Sequence, residues 1–200
     1  MSSRSVGEHY EGDLRRALMD AAIATLAAVG ADHLSLREVA RRSGVSHAAP
    51  AHHFGDKAGL LTAIATEGFE LFTAHLDDAA IAPSDPLDQL SVLGRAYAEF
   101  AERFPAHFEV MFRPALVRVD DAAFMRAGDA AFETLRRHVE RCQRAGWRAE
   151  ADNNELTVAA WSFAHGITVL RARGSLGRHA ADSSLDGVLV IARALLGAAP

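Results

Sequence analysis

The residues able to do chemistry in this 200-residue chain are ten histidines, one cysteine and scattered carboxylates and arginines. Their spacing excludes most reactions. No two histidines stand four apart on a helix, so no helical face offers paired imidazoles to zinc, and the lone Cys142 rules out a CxxC knuckle. Asp77-Asp78 and Asp120-Asp121 fill two positions of a DDxxD metal motif, but Ile81 and Phe124 stand where its third aspartate belongs. There is no GxGxxG, Walker loop, GxSxG or HExxH. No catalytic residue, metal or other cofactor is expected. What remains is recognition. Arg37, Arg41, Arg42 and Lys57, the only lysine, gather with His47, His52 and His53 in one short stretch. Cationic and hydrogen-bonding groups so placed suit contact with nucleic acid.

That stretch, Ser35 to Lys57, SLREVARRSGVSHAAPAHHFGDK, predicts two short helices joined by a tight turn. Ser35 caps the first, and Glu38 three residues on completes a capping box. Leu36, Val39 and Ala40 share one face. Gly44 supplies the left-handed residue that ends the helix. Val45 fills the angle, and Ser46 caps the second helix, expected over His47–His53. Pro50, as its fourth residue, removes only the first intrahelical bond. Ala49, Pro50 and Phe54 should pack inward, leaving His47, Ala48, Ala51 and His52 outside, where alanine methyls can meet thymine methyls. The unit has the size of a helix-turn-helix, although an ordinary helical hairpin shares that spacing.

The order of capping Ser, Val-Ala, Gly-Val-Ser, His-Phe and Asp-Lys before a long apolar helix resembles the DNA-binding domain of TetR-family regulators. The run from Gly44 to Leu61, GVSHAAPAHHFGDKAGLL, is most similar to the subgroup with a WHG signature, matched here by Trp161, His165 and Gly166. The resemblance implies a DNA-binding set of Arg37, Ser46, His47, Ala48, Ala51, His52 and Lys57, with Arg37 and Lys57 meeting base edges or phosphates. It also implies a second domain that binds a small effector and forms a homodimer. Two positions depart from the family pattern: Ala51 stands where tyrosine is usual, and His52 where arginine is common. Weaker contact with the DNA backbone is the expected consequence.

The remaining elements are read from apolar period. Residues 1 to about 9 read as a mobile arm. A helix over about Glu11–Val29 follows the stripe Leu14, Leu18, Ala21, Ala22, Leu26 and ends at Gly30. Asp56 caps a long helix to about Ala80, and the prolines at 83 and 86 force a turn. Further helices are predicted over Leu87–Phe104, Ala106–Phe112, Ala122–Ala145, Asn154–Ala172 and Leu185–Leu196, with a loop over 174–184 and no strand signal. The expected fold is all-α with about nine helices: a three-helix helix-turn-helix DNA-binding domain over 1–57 and a helical ligand-binding and dimerisation domain over 58–200.

Phe100, Phe104, Phe108, Met111, Phe112, Trp161 and His165 are expected to line a cavity for a small apolar effector, although aromatics at helical spacing equally make plain core. The helices over 154–172 and 185–196 are apolar around much of their circumference. Their surplus face is expected to pair with a second copy through Trp161, Ile167, Leu170, Leu185, Leu189, Ala192 and Leu196.

The formal charge of −5 is uneven: residues 1–57 carry seven basic and seven acidic residues, the remainder 14 and 19. A neutral reading unit can still bind through one small face. The opening MSSRSVGEHYEGD lacks a signal-peptide core. The longest uncharged apolar run, Leu156–Leu170, has 15 residues where a membrane span needs about 20, so a cytoplasmic protein without membrane contact is expected. Together these features lead to the expectation of a ligand-responsive repressor, a homodimer on a palindromic double-stranded operator, released by an effector. The alternative is a small-molecule binding or sequestering protein with a weakened DNA-reading unit.

Overall fold

The computed structural model describes residues 3–80, 85–176 and 184–197. Among these it holds no strand, nine α-helices and one 3-10 turn. They are α1 (Ser3–His33), α2 (Leu36–Arg42), α3 (Ala49–Phe54), α4 (Lys57–Ala79), α5 (Pro86–Arg103), α6 (Pro105–Met111), the 3-10 turn Pro114–Leu116, α7 (Ala122–Arg144), α8 (Asn153–Ala172) and α9 (Leu185–Gly197). The expected turn at Pro83-Ser84 and most of the 174–184 loop lie outside the described residues.

Helix starts are set by short polar side chains that accept otherwise unpartnered N–H groups. Asp56 accepts from Gly59 at 2.8 Å, Asp85 from Leu87 at 2.7 Å and Asp152 from Glu155 at 2.9 Å. Asp121 accepts from Ala123 at 2.9 Å and Phe124 at 3.0 Å. One of the aspartates weighed for metal binding is therefore a helix cap. Among the described residues no group of three or more metal-ligating side chains comes together.

Three local expectations are corrected. The helical backbone of α1 begins at Ser3 rather than near Glu11, replacing the expected arm. Polar residues 3–10 carry no apolar stripe, so period alone gives no sign of that extension. The capping box of α2 is only half made. Ser35 Oγ accepts the Glu38 N–H at 3.3 Å, but the Glu38 carboxylate turns to Arg41 and Arg42 instead of reaching back. Finally, α3 starts at Ala49 and has no side-chain cap, so Ser46 does not cap it. Pro50 is then its second residue, where an amide hydrogen would have no helical partner in any case. The lost bond expected from Pro50 does not arise.

The described chain forms two compact units: residues 1–68 with 105–126, and residues 69–104 with 127–200. The division differs from a cut after Lys57. The boundary falls inside α4, at Gly68, and the segment from α6 to the start of α7 packs with the N-terminal helices.

In the first unit α1 packs on α2 and α6, and α2 packs on α3. Leu18, Leu26, Val39, Leu60, Leu61, Ile64 and Val110 form its buried centre. The break at Gly30, with φ of 75°, ends the regular part of α1. Gly44, with φ of 66°, closes α2 in a Schellman motif: its N–H reaches Arg41 O at 3.3 Å, and Val45 N–H reaches Ala40 O at 3.1 Å. Helix α6 sits close over Gly68, where an added Cβ would lie 2.7 Å from Met111 Sδ.

In the second unit α5 packs on α8 and α9. Val139, Cys142, Trp147 and Leu156 form a buried cluster beside Leu87 and Leu135. The turn between α7 and α8 is tied by the Gln143 amide, which donates to Arg148 O at 3.1 Å and Ala151 O at 2.8 Å.

Gly59 is the tightest glycine in the first unit: a Cβ there would fall 2.0 Å from the carbonyl oxygen of Phe54 and 3.1 Å from the Arg118 guanidinium. Backbone cannot yield as a side-chain tip does, so Gly59→Ala should cost about 2 kcal/mol or more. Urea unfolding monitored by circular dichroism checks this; an unchanged midpoint would refute the crowding.

Candidate nucleic-acid interface and ligand cavity

The candidate reading face draws on the start of one short helix, the turn that follows it and the outer side of the next. Pro50 and Phe54 are buried and Ala49 half-buried, which anchors α3. Ala48, Ala51 and His52, at i, i+3 and i+4, consequently share the outer face, with Ser46 and His47 on the preceding turn; all five are exposed. Arg37, in the first turn of α2, is also exposed and has no ion-pair partner among the described residues. The other arginines of α2 are engaged. Arg41 and Arg42 meet Glu38 at 2.7 and 2.8 Å, and their hydrogen bonds hold its carboxyl down at about 2. Outside α2, Arg15 lies over the Phe54 ring, 5.0 Å from its centroid.

Lys57 is less open than the other six. Its ammonium donates to the backbone oxygen of Asp32 at 3.1 Å. The same Asp32 carboxylate accepts from Arg113 at 3.1 Å. One residue earlier, Asp56 pairs with Arg118 at 3.0 Å, and the Gly59 N–H and then Arg118 hold its carboxyl below the ordinary value. The Arg118 N–H also donates to Thr62 Oγ1 at 2.9 Å. The turn that follows α3 is thus held by Arg118 through Asp56, while Arg113 reaches Asp32. Sequence reading missed both arginines, which fall between the helices predicted over Ala106–Phe112 and Ala122–Ala145.

Deeper in this unit, the Glu67 carboxylate accepts from Arg16 and from His107 Nε2, the latter at 3.0 Å. Burial works to raise its pKa, but Arg16 and His107 outweigh it and hold the group below its usual value. Arg16, a candidate for phosphate contact by position alone, is occupied by Glu67 and Asp20.

The second unit contains a cavity of about 650 Å³ of open space, its mouth included. Phe72 and Leu76 of α4, Tyr97 of α5, Leu135 of α7, Trp161 of α8 and Leu189 of α9 are among its walls. Of the seven residues expected to line it, Trp161 does. Phe100 is fully buried behind it against Phe72, ring centroids 5.0 Å apart, and Phe104 stacks on Phe100 at 5.1 Å. Phe108 and Met111 of α6, and Phe112 just past its end, belong to the first unit, where Met111 lies over Gly68 and the two phenylalanines pair edge to face. The sequence placed all of these aromatics at helical spacing, but Pro105 starts a new helix that packs with other partners.

His165 acts from beside the cavity. The Trp161 N–H bonds the Tyr97 oxygen, and the Tyr97 hydroxyl shares a hydrogen bond of 2.8 Å with His165 Nδ1. Trp161 and His165 stand one turn apart on α8, so both reach the same tyrosine of α5. Burial, followed by repulsion from Arg173, lowers the His165 pKa; burial raises that of Tyr97. Tyr97 was legible only as part of an apolar stripe.

The expected pairing residues divide. Leu170 is exposed, and Trp161, Ile167 and Leu185 are half-buried. Leu189 and Ala192 instead turn inward and line the cavity, and the side chain of Leu196 lies outside the described residues. Leu189 is drawn in by Gly94 of α5, where an added Cβ would stand 2.7 Å from Leu189 Cδ2. The outer face carries Val158 and Leu170 on α8 and Val190 and Ile191 on α9, each between 43% and 60% exposed.

This is the build of a helix-turn-helix protein whose second unit is a helical, cavity-bearing body. Residues 18–64 match the family described as bacterial regulatory proteins, tetR family, and residues 90–189 match the tetracyclin repressor-like C-terminal domain. The chain belongs to the TetR family. It is 39% identical over 84 residues to the HTH-type transcriptional regulator BetI of Cronobacter sakazakii, covering 42% of this chain and 40% of that protein. It is 28% identical over 123 residues to the HTH-type transcriptional repressor KstR of Mycolicibacterium smegmatis, covering 62% and 60%. The matches thus span less than two thirds of either relative. A solved structure of a protein with unknown function from Rhodococcus sp. RHA1 is 34% identical, covers 92% of this chain and 93% of that one, and has a TM-score of 0.79. No described helix is long and apolar enough to cross a membrane.

The histidines make stability depend on pH. Burial is the first cause that lowers the pKa of both His165 and His138 in the folded chain. Between those lowered values and the ordinary value near 6.5 the unfolded chain binds more protons, so stability is complete above about pH 7 and declines as pH falls. The melting temperature should drop between about pH 7.5 and 5.5, and His165→Gln should make the drop shallower. A slope unaltered by that substitution would remove His165 from the account.

Proposed function

We propose that this chain is a DNA-binding transcriptional regulator, a repressor that binds a palindromic operator as a homodimer and is released by a small-molecule effector. The observation that carries the reading is the exposure of Ser46, His47, Ala48, Ala51 and His52 along the turn and the outer side of a short, firmly anchored α3, with Arg37 exposed on α2. Small side chains let such a helix approach base edges closely, and Arg37 supplies the unpaired cation. Lys57 serves at the margin, where its ammonium exchanges Asp32 O for a phosphate. The DNA-reading helices of two subunits must then lie about 34–36 Å apart to enter successive major grooves.

The homodimer reading is supported by the apolar residues that α8 and α9 leave outside. Val158, Leu170, Val190 and Ile191 are large apolar side chains left exposed on these two helices, and a second copy packed about a two-fold axis would cover them. The effector reading is supported by the cavity against Tyr97 and Trp161, with the WHG-type residues Trp161 and His165 fixing one wall. A weakened DNA reader that only sequesters its ligand is the rival, kept alive by Ala51.

An electrophoretic shift with DNA upstream of the gene tests the central statement. The wild type should bind without added ligand, and Arg37→Ala should weaken binding about tenfold or more, the scale of one lost base contact. Failure to bind either that DNA or any operator selected from random sequence would overturn the regulator in favour of the sequestering protein. The pairing face is tested separately by sedimentation. The wild type should run at twice the 21.4 kDa chain mass, and Val190→Glu with Ile191→Glu should run as a monomer with unchanged helicity. A monomeric wild type would refute the dimer.

A further inference from the structure

The walls of the cavity in the second unit are selective in their chemistry. Four of the five helices around it turn small residues inward: Gly94 of α5, Ala131 of α7, Ala160 and Ala164 of α8, and Ala192 of α9. The space exists because these positions lack side chains, while Phe72, Tyr97, Trp161 and Phe163 supply broad aromatic surface. Among the described residues, no wall side chain carries a charge.

The polar groups at the walls are largely committed. The Tyr97 hydroxyl shares a hydrogen bond with His165 Nδ1 and receives the Trp161 N–H, so the three engage one another across α5 and α8. Ser91 makes one long bond, 3.5 Å to Leu87 O, and its hydroxyl is the wall group best able to turn toward a guest. A carboxylate or ammonium placed inside would surrender its hydration to hydrocarbon with no counter-charge to meet it. An uncharged molecule surrenders nothing comparable.

We infer that the cavity takes an uncharged, hydrocarbon-rich small molecule bearing no more polarity than one hydroxyl-sized group, which Ser91 would meet. The inference rests on the effector reading given above and narrows it to one chemical class. It excludes ligands whose recognised group is a carboxylate, a phosphate or an amine.

Three ten-carbon probes test it on the DNA-free protein at about pH 7.5: 1-decanol, decanoate and decylamine, followed by isothermal titration and by thermal shift. Decanol should bind saturably, once per chain, at least about tenfold more tightly than either charged probe. Ala160→Leu and Ala131→Leu, which fill the cavity from two different helices, should each abolish that binding, whereas Ala172→Leu on the exposed side of α8 should leave it intact. Equal or tighter binding of a charged probe would overturn the inference. So would no saturable binding of decanol, or decanol binding that survives both filling substitutions. The effector reading is tested independently by adding decanol to the protein–DNA complex. Binding without any change in DNA affinity would refute decanol's class as an effector while leaving the cavity's preference for neutral guests standing.

Discussion

Much of the first unit depends on two carboxylates taken partly out of water. A half-buried carboxylate is costly unless its oxygens are met, and each one here is met from two directions. Glu67 on α4 accepts from Arg16 of α1 and His107 of α6, joining three helices at one point. Glu109, further along α6, accepts the Ala31 N–H at 3.0 Å and pairs with Arg113 at 3.2 Å. The first of these bonds has a particular origin. The backbone break at Gly30 leaves the next amide without its regular helical partner, and the Glu109 side chain takes that place. The end of α1 and the position of α6 are therefore one structural problem with one solution.

From that point the consequences run toward the reading face. Residue Asp32, just past the break, receives Arg113 on its carboxylate and Lys57 on its carbonyl. Asp56 and Thr62 receive Arg118. A six-residue helix such as α3 has almost no stability of its own, because its few hydrogen bonds barely offset the entropy of ordering it. It is held by Pro50 and Phe54 beneath and by a turn fixed on its far side through Gly55, Asp56 and Gly59. The turn that holds the end of α3 thus depends on Arg118, more than fifty positions later in the chain.

That dependence also explains what could be read from the sequence and what could not. Helix extents were legible because caps and apolar period are local: Asp56, Asp85, Asp121 and Asp152 each mark a start, and Gly30, Gly44 and Gly146 each fall at an end. The exposed face of α3 was legible for the same reason, since two anchors in six residues leave little choice of outside. Partnership was not legible. Phe108, Met111 and Phe112 continue the aromatic spacing of α5, and nothing local distinguishes packing against α1 and Gly68 from lining a cavity. On α9, Leu189, Val190, Ile191 and Ala192 are all apolar, so the sequence could not say which face turns inward. The answer lies on another helix, in the missing side chain of Gly94. The first turns of α1 escaped because a polar helix carries no stripe.

The charge balance acquires a structural meaning once these partners are known. Seven basic residues against seven acidic ones suggested a neutral N-terminal region. In the folded chain the cancellation is local: Arg41 and Arg42 with Glu38, and Arg16 with Asp20 and Glu67. Arg37, exposed in the first turn of α2, escapes it. On the regulator reading, attraction to phosphate would then be modest for each subunit, and discrimination would rest on close approach to base edges and on two copies acting together. A face of that kind tolerates little displacement, because a contact made by methyl groups fades over a fraction of an ångström, whereas a long arginine can follow its phosphate. The tight polar clasp around Asp32, Asp56 and Glu67 supplies the rigidity that such short side chains require.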